Sequence, residues 1–240
     1  MMASRGPDIA RNLEKVRERI ARAAARAGRS AESVTLVAVT KGVPPDLVRE
    51  AVEAGVTDIG ENRVQEGAAK RSALDPTCPG LVWHFIGHLQ ANKAARASRL
   101  FDLIHSVDRR RVAEALSRAW TRDGRPEPLK VLVQVNASGE ETKFGVRPEA
   151  ATDLVRVVCR LPGLRVMGLM TMAPLTPDPE ETRPVFRRVR RLAMEIDRLG
   201  LSGVSMEYLS MGMSQDYEVA VSEGANVVRI GTAIFGPREG

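Results

Sequence analysis

A repeating alternation restricts the fold more than any other feature of this chain. Eight short aliphatic runs read as strands, at residues 34–39, 57–59, 82–86, 102–106, 129–135, 164–170, 205–209 and 227–230. Between them lie segments with helical apolar spacing, at 46–54, 61–72, 90–98, 109–120, 148–160, 179–199 and 215–222. Pro148 sits near the start of one such segment, and Gly55 and Gly200 follow the ends of two others. Strand, helix and strand in regular succession make parallel units with crossover helices. Eight such units in about 210 residues fit a (β/α)8 barrel, whose size range begins near about 200 residues. An open doubly wound sheet is the rival. It has fewer strands for this length, and its Gly-x-Gly-x-x-Gly turn is missing after the first strand.

A further helix precedes the first strand. Ile9, Leu13, Val16, Ile20 and Ala24 recur at steps of three and four, with Arg and Glu between them. Pro7 suits a first turn and Gly28 a C-terminal cap. Such an Arg-rich amphipathic stretch also suits a mitochondrial presequence, but those peptides are poor in acids and this one holds Glu14 and Glu18. No composition shift or linker divides the 240 residues. The expectation is one α/β domain over 1–240, a single (β/α)8 TIM barrel with an extra N-terminal helix.

Composition narrows the classes of function. Aromatics make up 4% of the residues, so the core must be mostly aliphatic. Cys78 and Cys159 are too few for a disulfide framework or a metal cluster and suit structural thiols in a reducing compartment. No apolar h-region opens the chain and no apolar run approaches a membrane span, so a cytoplasmic protein with no membrane partner is expected. The net charge of +6 invites a nucleic-acid reading. The arginines, however, are spread over several helical stretches, mixed with glutamates and with few aromatics between them, as on solvated helix surfaces. No nucleic-acid partner is expected, and binding through the basic surface is kept as an alternative.

In a (β/α)8 barrel the loops that follow the strands form the active face. Lys41 ends the first strand run and is followed by Gly42-Val43-Pro44-Pro45. An amine where a buried strand opens into a loop is poorly placed for solvation, and a desolvated amine is a nucleophile that condenses with aldehydes. Asn62 follows the second strand, and His84 lies in the third. Ser210-Met211-Gly212-Met213-Ser214 follows the seventh, and Arg229-Ile230-Gly231-Thr232 closes the eighth. Loops after strands seven and eight often hold phosphate in such barrels. Ser210, Ser214, Gly231 and Thr232 offer hydroxyls and N–H groups near a helix start. Without a Gly-x-x-x-x-Gly-Lys motif, the site suits one phosphate monoester rather than a nucleoside triphosphate. Each residue also has an ordinary reading: a solvated lysine, serine helix caps, a hydrogen-bonded core histidine, a packed methionine. Their convergence on one barrel mouth is what points to chemistry.

A phosphate monoester that also carries an aldehyde for a lysine is pyridoxal 5′-phosphate. Lys41 would form the Schiff base, and Arg229 could face the pyridine nitrogen. An arginine can only donate to that nitrogen, which leaves the ring a weaker electron sink than a carboxylate partner would. Holding the cofactor, or a limited racemisation, fits such a site.

Six segments then carry a resemblance: Ala38-Val39-Thr40-Lys41, Gly60-Glu61-Asn62-Arg63-Val64-Gln65-Glu66, Trp83-His84-Phe85-Ile86-Gly87-His88-Leu89-Gln90-Ala91-Asn92-Lys93, Met167-Gly168-Leu169-Met170-Thr171, Ser210-Met211-Gly212-Met213-Ser214 and Arg229-Ile230-Gly231-Thr232-Ala233-Ile234-Phe235-Gly236. In unbroken order they closely resemble the pyridoxal phosphate homeostasis protein family. The resemblance implies a barrel of the alanine-racemase type (PLP fold type III) without the C-terminal β-domain. It implies Lys41 as the Schiff-base lysine and Arg229 at the ring nitrogen. It implies Ser210, Ser214, Gly231 and Thr232 as the phosphate cradle, with Asn62, His84 and Met211 lining the pocket. Gly42 and Arg63 stand where relatives often carry other residues.

By the same resemblance the protein would hold and hand over the cofactor, keeping vitamin B6 and amino-acid pools balanced, with PLP-dependent apoenzymes as recipients. The rival is a single-domain PLP-dependent amino-acid racemase. A two-base racemase needs a proton donor on each face of its substrate. Alanine racemases take one from a tyrosine of their second domain, whereas this chain ends soon after its eighth strand. Tyr208 and Tyr217 both lie near strand seven, so Lys41 is left as the one clear acid/base candidate. Little or no enzymatic turnover is therefore expected, and, without a second domain, a monomer. Lys93 and Lys143 are candidates to hold a second, transient cofactor molecule, although surface lysines are their ordinary reading.

Overall fold

The computed structural model describes residues 7–140 and 142–237 of the chain. Eight parallel strands close into a barrel in sequence order. They are β1 (Thr35–Val39), β2 (Asp58–Glu61), β3 (Val82–Phe85), β4 (Leu103–Val107), β5 (Leu129–Gln134), β6 (Leu164–Met170), β7 (Val204–Ser210) and β8 (Val227–Ile230). β1 pairs with β2, Val39 opposite Gly60, and with β8, Val37 opposite Arg229, which closes the ring. The helices are α1 (Ile9–Arg26), α2 (Pro45–Glu53), α3 (Val64–Leu74), α4 (Ala94–Leu100), α5 (Arg110–Arg122), α6 (Pro148–Val158), α7 (Arg183–Asp197), α8 (Tyr217–Ser222) and α9 (Thr232–Phe235). The architecture is the expected (β/α)8 TIM barrel with an added N-terminal helix.

α1 is placed by its apolar stripe and by two polar pins. Ile9, Leu13, Val16 and Ile20 are buried, each worth roughly 1.5–3 kcal/mol of transfer free energy. Asn12 Nδ2 donates to Ile234 O at 3.0 Å, and the Arg17 guanidinium donates to Ala54 O at 3.0 Å and Gly55 O at 2.6 Å. The helix is thereby fixed to α9 and to the end of α2.

Local boundaries differ from the sequence pattern where backbone chemistry intervenes. Glu61 ends β2 instead of opening a helix. The 179–199 pattern divides into a 3-10 turn, Pro179–Thr182, and α7. Asp178 caps that turn by accepting from Glu180 N at 3.0 Å, and Pro184 is tolerated because it falls in the first turn of α7. A 3-10 turn, Ala91–Lys93, likewise precedes α4.

Two apolar regions result. The larger lies between strands and helices and includes Trp83, Phe186, Leu116, Ile196 and Met211. The smaller is Leu103, Leu132, Met167 and Met170, with Met172 and Tyr208 packed against it. These residues come from neighbouring strands β4 to β7. Where β6 meets β7 the backbones approach closely. Gly168 has φ +152°, and a Cβ there would lie 1.9 Å from Tyr208 O, so no other residue fits.

Candidate cofactor site

The turn that carries Lys41 is held from beneath. Val39, the last residue of β1, lines the mouth cavity, and Lys41 follows two residues on, in the turn. Thr40 points the other way, where its hydroxyl donates to Glu61 Oε1 and its carbonyl accepts from Lys70. Lys70 Nζ also donates to Glu61 Oε1 at 2.7 Å and Glu66 Oε1 at 2.8 Å. Glu66 in turn accepts from the Gly42 N–H. The backbone before and after Lys41 is thus tied to one buried cation and two carboxylates. Burial lifts the Glu61 carboxyl above its ordinary range, against the bonds from Lys70 and Thr40. Burial opposes the charge on Glu66 as well, but there the bonds from Lys70 and Gly42 prevail and hold it low.

Lys41 itself is exposed at the rim. The expectation that the strand end desolvates its amine is corrected. The chain turns away at Gly42, which has φ +70°, and leaves the lysine projecting from the edge of the barrel.

A cavity of about 360 Å³ opens at this mouth, within the size range of small-molecule sites. Asn62, Ile86, Met213, Ser214, Asp216, Arg229, Gly231 and Thr232 line it, with Leu175 and Thr176 from the loop after β6. Arg229 is 3% exposed. Its Nη1 donates to Ser210 Oγ at 2.6 Å and its Nη2 to Thr171 O at 2.8 Å, which orients the guanidinium. Burial lowers its pKa to about 10, with Asp216 acting in the opposite sense. Asp216 Oδ1 accepts from Met213 N at 2.6 Å, and burial raises its carboxyl.

Of the nine residues expected at the site, Asn62, Ser214, Arg229, Gly231 and Thr232 line the cavity, and Lys41 is exposed in the turn two residues after Val39, which also lines it. Three are placed otherwise. The Ser210 hydroxyl is fully buried and engaged by Arg229 and His105, and Ser210 is not among the cavity's lining residues. His84 is a buried residue of the barrel interior, bonded to Asp58 and His105. Met211 packs in the layer between strands and helices, because side chains alternate along the chain and Met213 takes the cavity side. Ser214 Oγ accepts from Gly231 N and Ala233 N, both at 3.3 Å, and so caps the start of α9. Lys143 Nζ donates to Ala173 O at 2.8 Å and lies 3.4 Å from Glu140. Tyr208 packs against the interior apolar cluster and Tyr217 is 2% exposed in the outer layer, so neither is among the cavity's lining residues.

Sequence reasoning passed over Asp216 and His105. The first follows the Ser214 motif by two residues and reads as a helix start. The second interrupts an otherwise apolar strand, Leu103-Ile104-His105-Ser106-Val107, and that break was the available clue.

The donor set suits pyridoxal 5′-phosphate. Arg229, which can only donate, lines a cavity that is also lined by Asn62, whose amide NH2 is a second donor. The backbone turn at Gly231 and Thr232 supplies the start of a helix on the same wall.

Comparison with known proteins agrees. Residues 11–239 match the family described as alanine racemase, N-terminal domain. The pyridoxal phosphate homeostasis protein of Aquifex aeolicus is 44% identical over 227 residues, spanning 95% of this chain and 97% of that one. The protein of the same name from Escherichia coli is 43% identical over 236 residues, spanning 97% of each. The structure of PipY from Synechococcus elongatus with PLP bound superposes with a TM-score of 0.82 at 36% identity, over 95% of this chain and 100% of PipY. An alanine racemase of Clostridium difficile shares the fold, with a TM-score of 0.72 at 16% identity over 100% of this chain and 61% of the racemase. With its barrel and its relatives in agreement, the chain belongs to the pyridoxal phosphate homeostasis protein family, within the alanine racemase N-terminal domain group.

Proposed function

We propose that this chain binds pyridoxal 5′-phosphate and serves its homeostasis, with the cofactor tethered through Lys41. The observation that carries this reading is the clamped turn of Lys41, two residues after Val39, on a cavity that Val39 shares with a buried, donor-only Arg229. PipY, which holds the same cofactor, covers 95% of this chain. When bound, pyridoxal phosphate supplies an aldehyde that condenses with a primary amine and a ring that delocalises charge. Gly231, Thr232 and the Ser214 loop would take the phosphate. Arg229 would donate toward the ring nitrogen, and the Asn62 amide, on the cavity wall, would donate to a polar group of the cofactor. Lys41 would use its amine. Among the described residues no helix is long and apolar enough to cross a membrane. We take the holder to be a cytoplasmic monomer that passes the cofactor to apoenzymes.

Mixing the protein with pyridoxal phosphate, reducing with borohydride and mapping peptides by mass tests this. The expected result is a yellow complex and one stable adduct on Lys41, lost in Lys41→Ala. A colourless protein without a mass increase sinks it.

Amino-acid racemisation is the second reading, and Asp216 favours it as a raised carboxyl lining the same cavity. Deuterium exchange at the α-carbon of alanine or serine decides. Exchange no faster than with free cofactor excludes a racemase.

A further inference from the structure

A string of hydrogen-bonded side chains crosses the inside of the barrel. It begins at Asp58, the first residue of β2, and passes through His84 on β3, His105 on β4 and Ser210 at the end of β7 to Arg229 on β8. His84 Nε2 lies 2.8 Å from Asp58 Oδ1, and His84 Nδ1 lies 2.9 Å from His105 Nε2. His105 Nδ1 lies 2.8 Å from Ser210 Oγ, which accepts from Arg229 Nη1 at 2.6 Å. The exposures of His84, His105, Ser210 and Arg229 are 4%, 0%, 0% and 3%. Barrel interiors are usually filled with branched apolar side chains. A buried polar network is stable only when every member is satisfied.

The two ends decide which way each hydrogen points. Arg229 can only donate. Asp58, as a carboxylate, can only accept, and its Oδ2 already takes the Thr57 hydroxyl at 2.6 Å. His84 Nε2 therefore carries a hydrogen. A neutral His84 then accepts at Nδ1, so His105 donates from Nε2. His105 accepts at Nδ1, and the Ser210 hydroxyl supplies that hydrogen while its lone pair takes the Arg229 N–H. Every link then holds one hydrogen and none is left over. An imidazolium at His84 would reverse His105 and turn its Nδ1–H toward Ser210, whose own hydrogen would then lack an acceptor among these groups.

The string also joins two faces of the molecule. Asp58 borders a groove at the base of the barrel, beside Thr35 and Gly55, whereas Arg229 lines the mouth cavity. Beside the string, the charged group that acts on Arg229 is Asp216, and Thr171 O takes the second guanidinium bond.

We infer that Asp58, His84, His105 and Ser210 are positioning residues, a one-way hydrogen-bond chain that fixes the Arg229 guanidinium in the orientation from which it donates to the cofactor's ring nitrogen. The ring-nitrogen half rests on the cofactor reading above, while the direction of the hydrogens does not depend on it.

Two measurements test this. In the full-length, cofactor-free protein, 15N–1H correlation spectra report the imidazole tautomers, and assignment is simple because the chain has 3 histidines. The expected result is a neutral Nε2–H form for both His84 and His105. An Nδ1–H tautomer or an imidazolium at either one near neutral pH overturns the inference. In the second measurement His105→Phe and Asp58→Leu are loaded with pyridoxal phosphate. Both should still give the borohydride-stable adduct on Lys41. The dissociation constant should rise about tenfold in His105→Phe, as expected for one lost hydrogen bond. The absorption band of the bound cofactor should shift in both variants. Asp58 touches neither the cavity nor Arg229, so a shift in Asp58→Leu reports on the chain and not on a lost contact. Unchanged affinity and spectrum in the variants that fold overturn the inference. A wild-type protein that takes up no cofactor overturns the cofactor reading alone, and the tautomers still decide the chain.

Discussion

Lys70 reaches from α3 to the carbonyl oxygen of Thr40, the residue directly before Lys41. The same amine pairs with Glu61 and Glu66, and Glu66 holds the Gly42 N–H on the far side of the lysine. An exposed, flexible side chain is therefore mounted on a fixed backbone. Such mounting suits a tether, because the amine keeps its reach while its attachment point stays registered with the cavity.

Breaking this clamp should be costly. Lys70→Met leaves the Glu61 side chain, 0% exposed, as a buried carboxylate without its cation. The expected loss is about 3–5 kcal/mol of unfolding free energy by urea titration. Glu61→Gln in the same background should recover part of that loss, since it removes the orphaned charge. A Lys70→Met protein as stable as the wild type contradicts the clamp.

Stability should fall on mild acidification because of His105. Burial, with His84 and Arg229 adding to it, depresses this imidazole well below its usual value of 6.5. Below about 6.5 the unfolded chain therefore binds a proton that the folded chain refuses. Folding weakens as pH drops from that point toward the depressed value, by up to about 1.4 kcal/mol per pH unit, and is unaffected above neutrality. His88 is also lowered, chiefly by partial burial, and contributes in the same direction. Urea midpoints between about pH 7.5 and 5.5 should slope less in His105→Leu than in the wild type. Asp58 acts in a separate, more acidic window. Burial would raise it, but the bonds from His84 and Thr57 hold it low, so its contribution is lost only as the carboxyl protonates.

Ser214 should behave as a cap even without cofactor. Its hydroxyl accepts from Gly231 N and Ala233 N at 3.3 Å. Ser214→Ala should lose about 0.5–1.5 kcal/mol in the cofactor-free protein, as for a typical intramolecular hydrogen bond, measured by thermal or urea unfolding. A variant that loses cofactor affinity with no change in apo stability would show a phosphate ligand and no cap.

The barrel was legible because its strands and helices differ in apolar period, and the alternation survives local error at the ends. Arg229, Gly231 and Thr232 were legible because motifs at strand ends fall on one face of any such barrel. The interior chain was not. His105 and Ser210 are 105 residues apart, and only ring closure sets their side chains against each other. Lys70 had a local trace in its spacing from Glu66, i to i+4 on a helix, but that spacing is also the commonest surface ion pair. Burial against Thr40 and Glu61 separates the two cases, and burial is a property of the packed molecule. The exposure of Lys41 depends likewise on where the turn at Gly42 directs the chain.

Gly87 sets the position of Asn62. A Cβ at Gly87 would lie 2.1 Å from Asn62 O and 2.7 Å from its carbonyl carbon and Cα. These are backbone atoms and cannot rotate aside, so Gly87→Ala must separate the loops that follow β2 and β3. Overpacking of this kind costs about 1–3 kcal/mol. Because Asn62 lines the cavity, the same displacement should carry its amide away from the bound cofactor. The variant should thus lose both unfolding free energy and cofactor affinity. Asn62→Ala, which removes the amide but leaves the backbone contact in place, should lose affinity with little change in stability. If Gly87→Ala kept wild-type affinity, Asn62 would have no part in holding the cofactor.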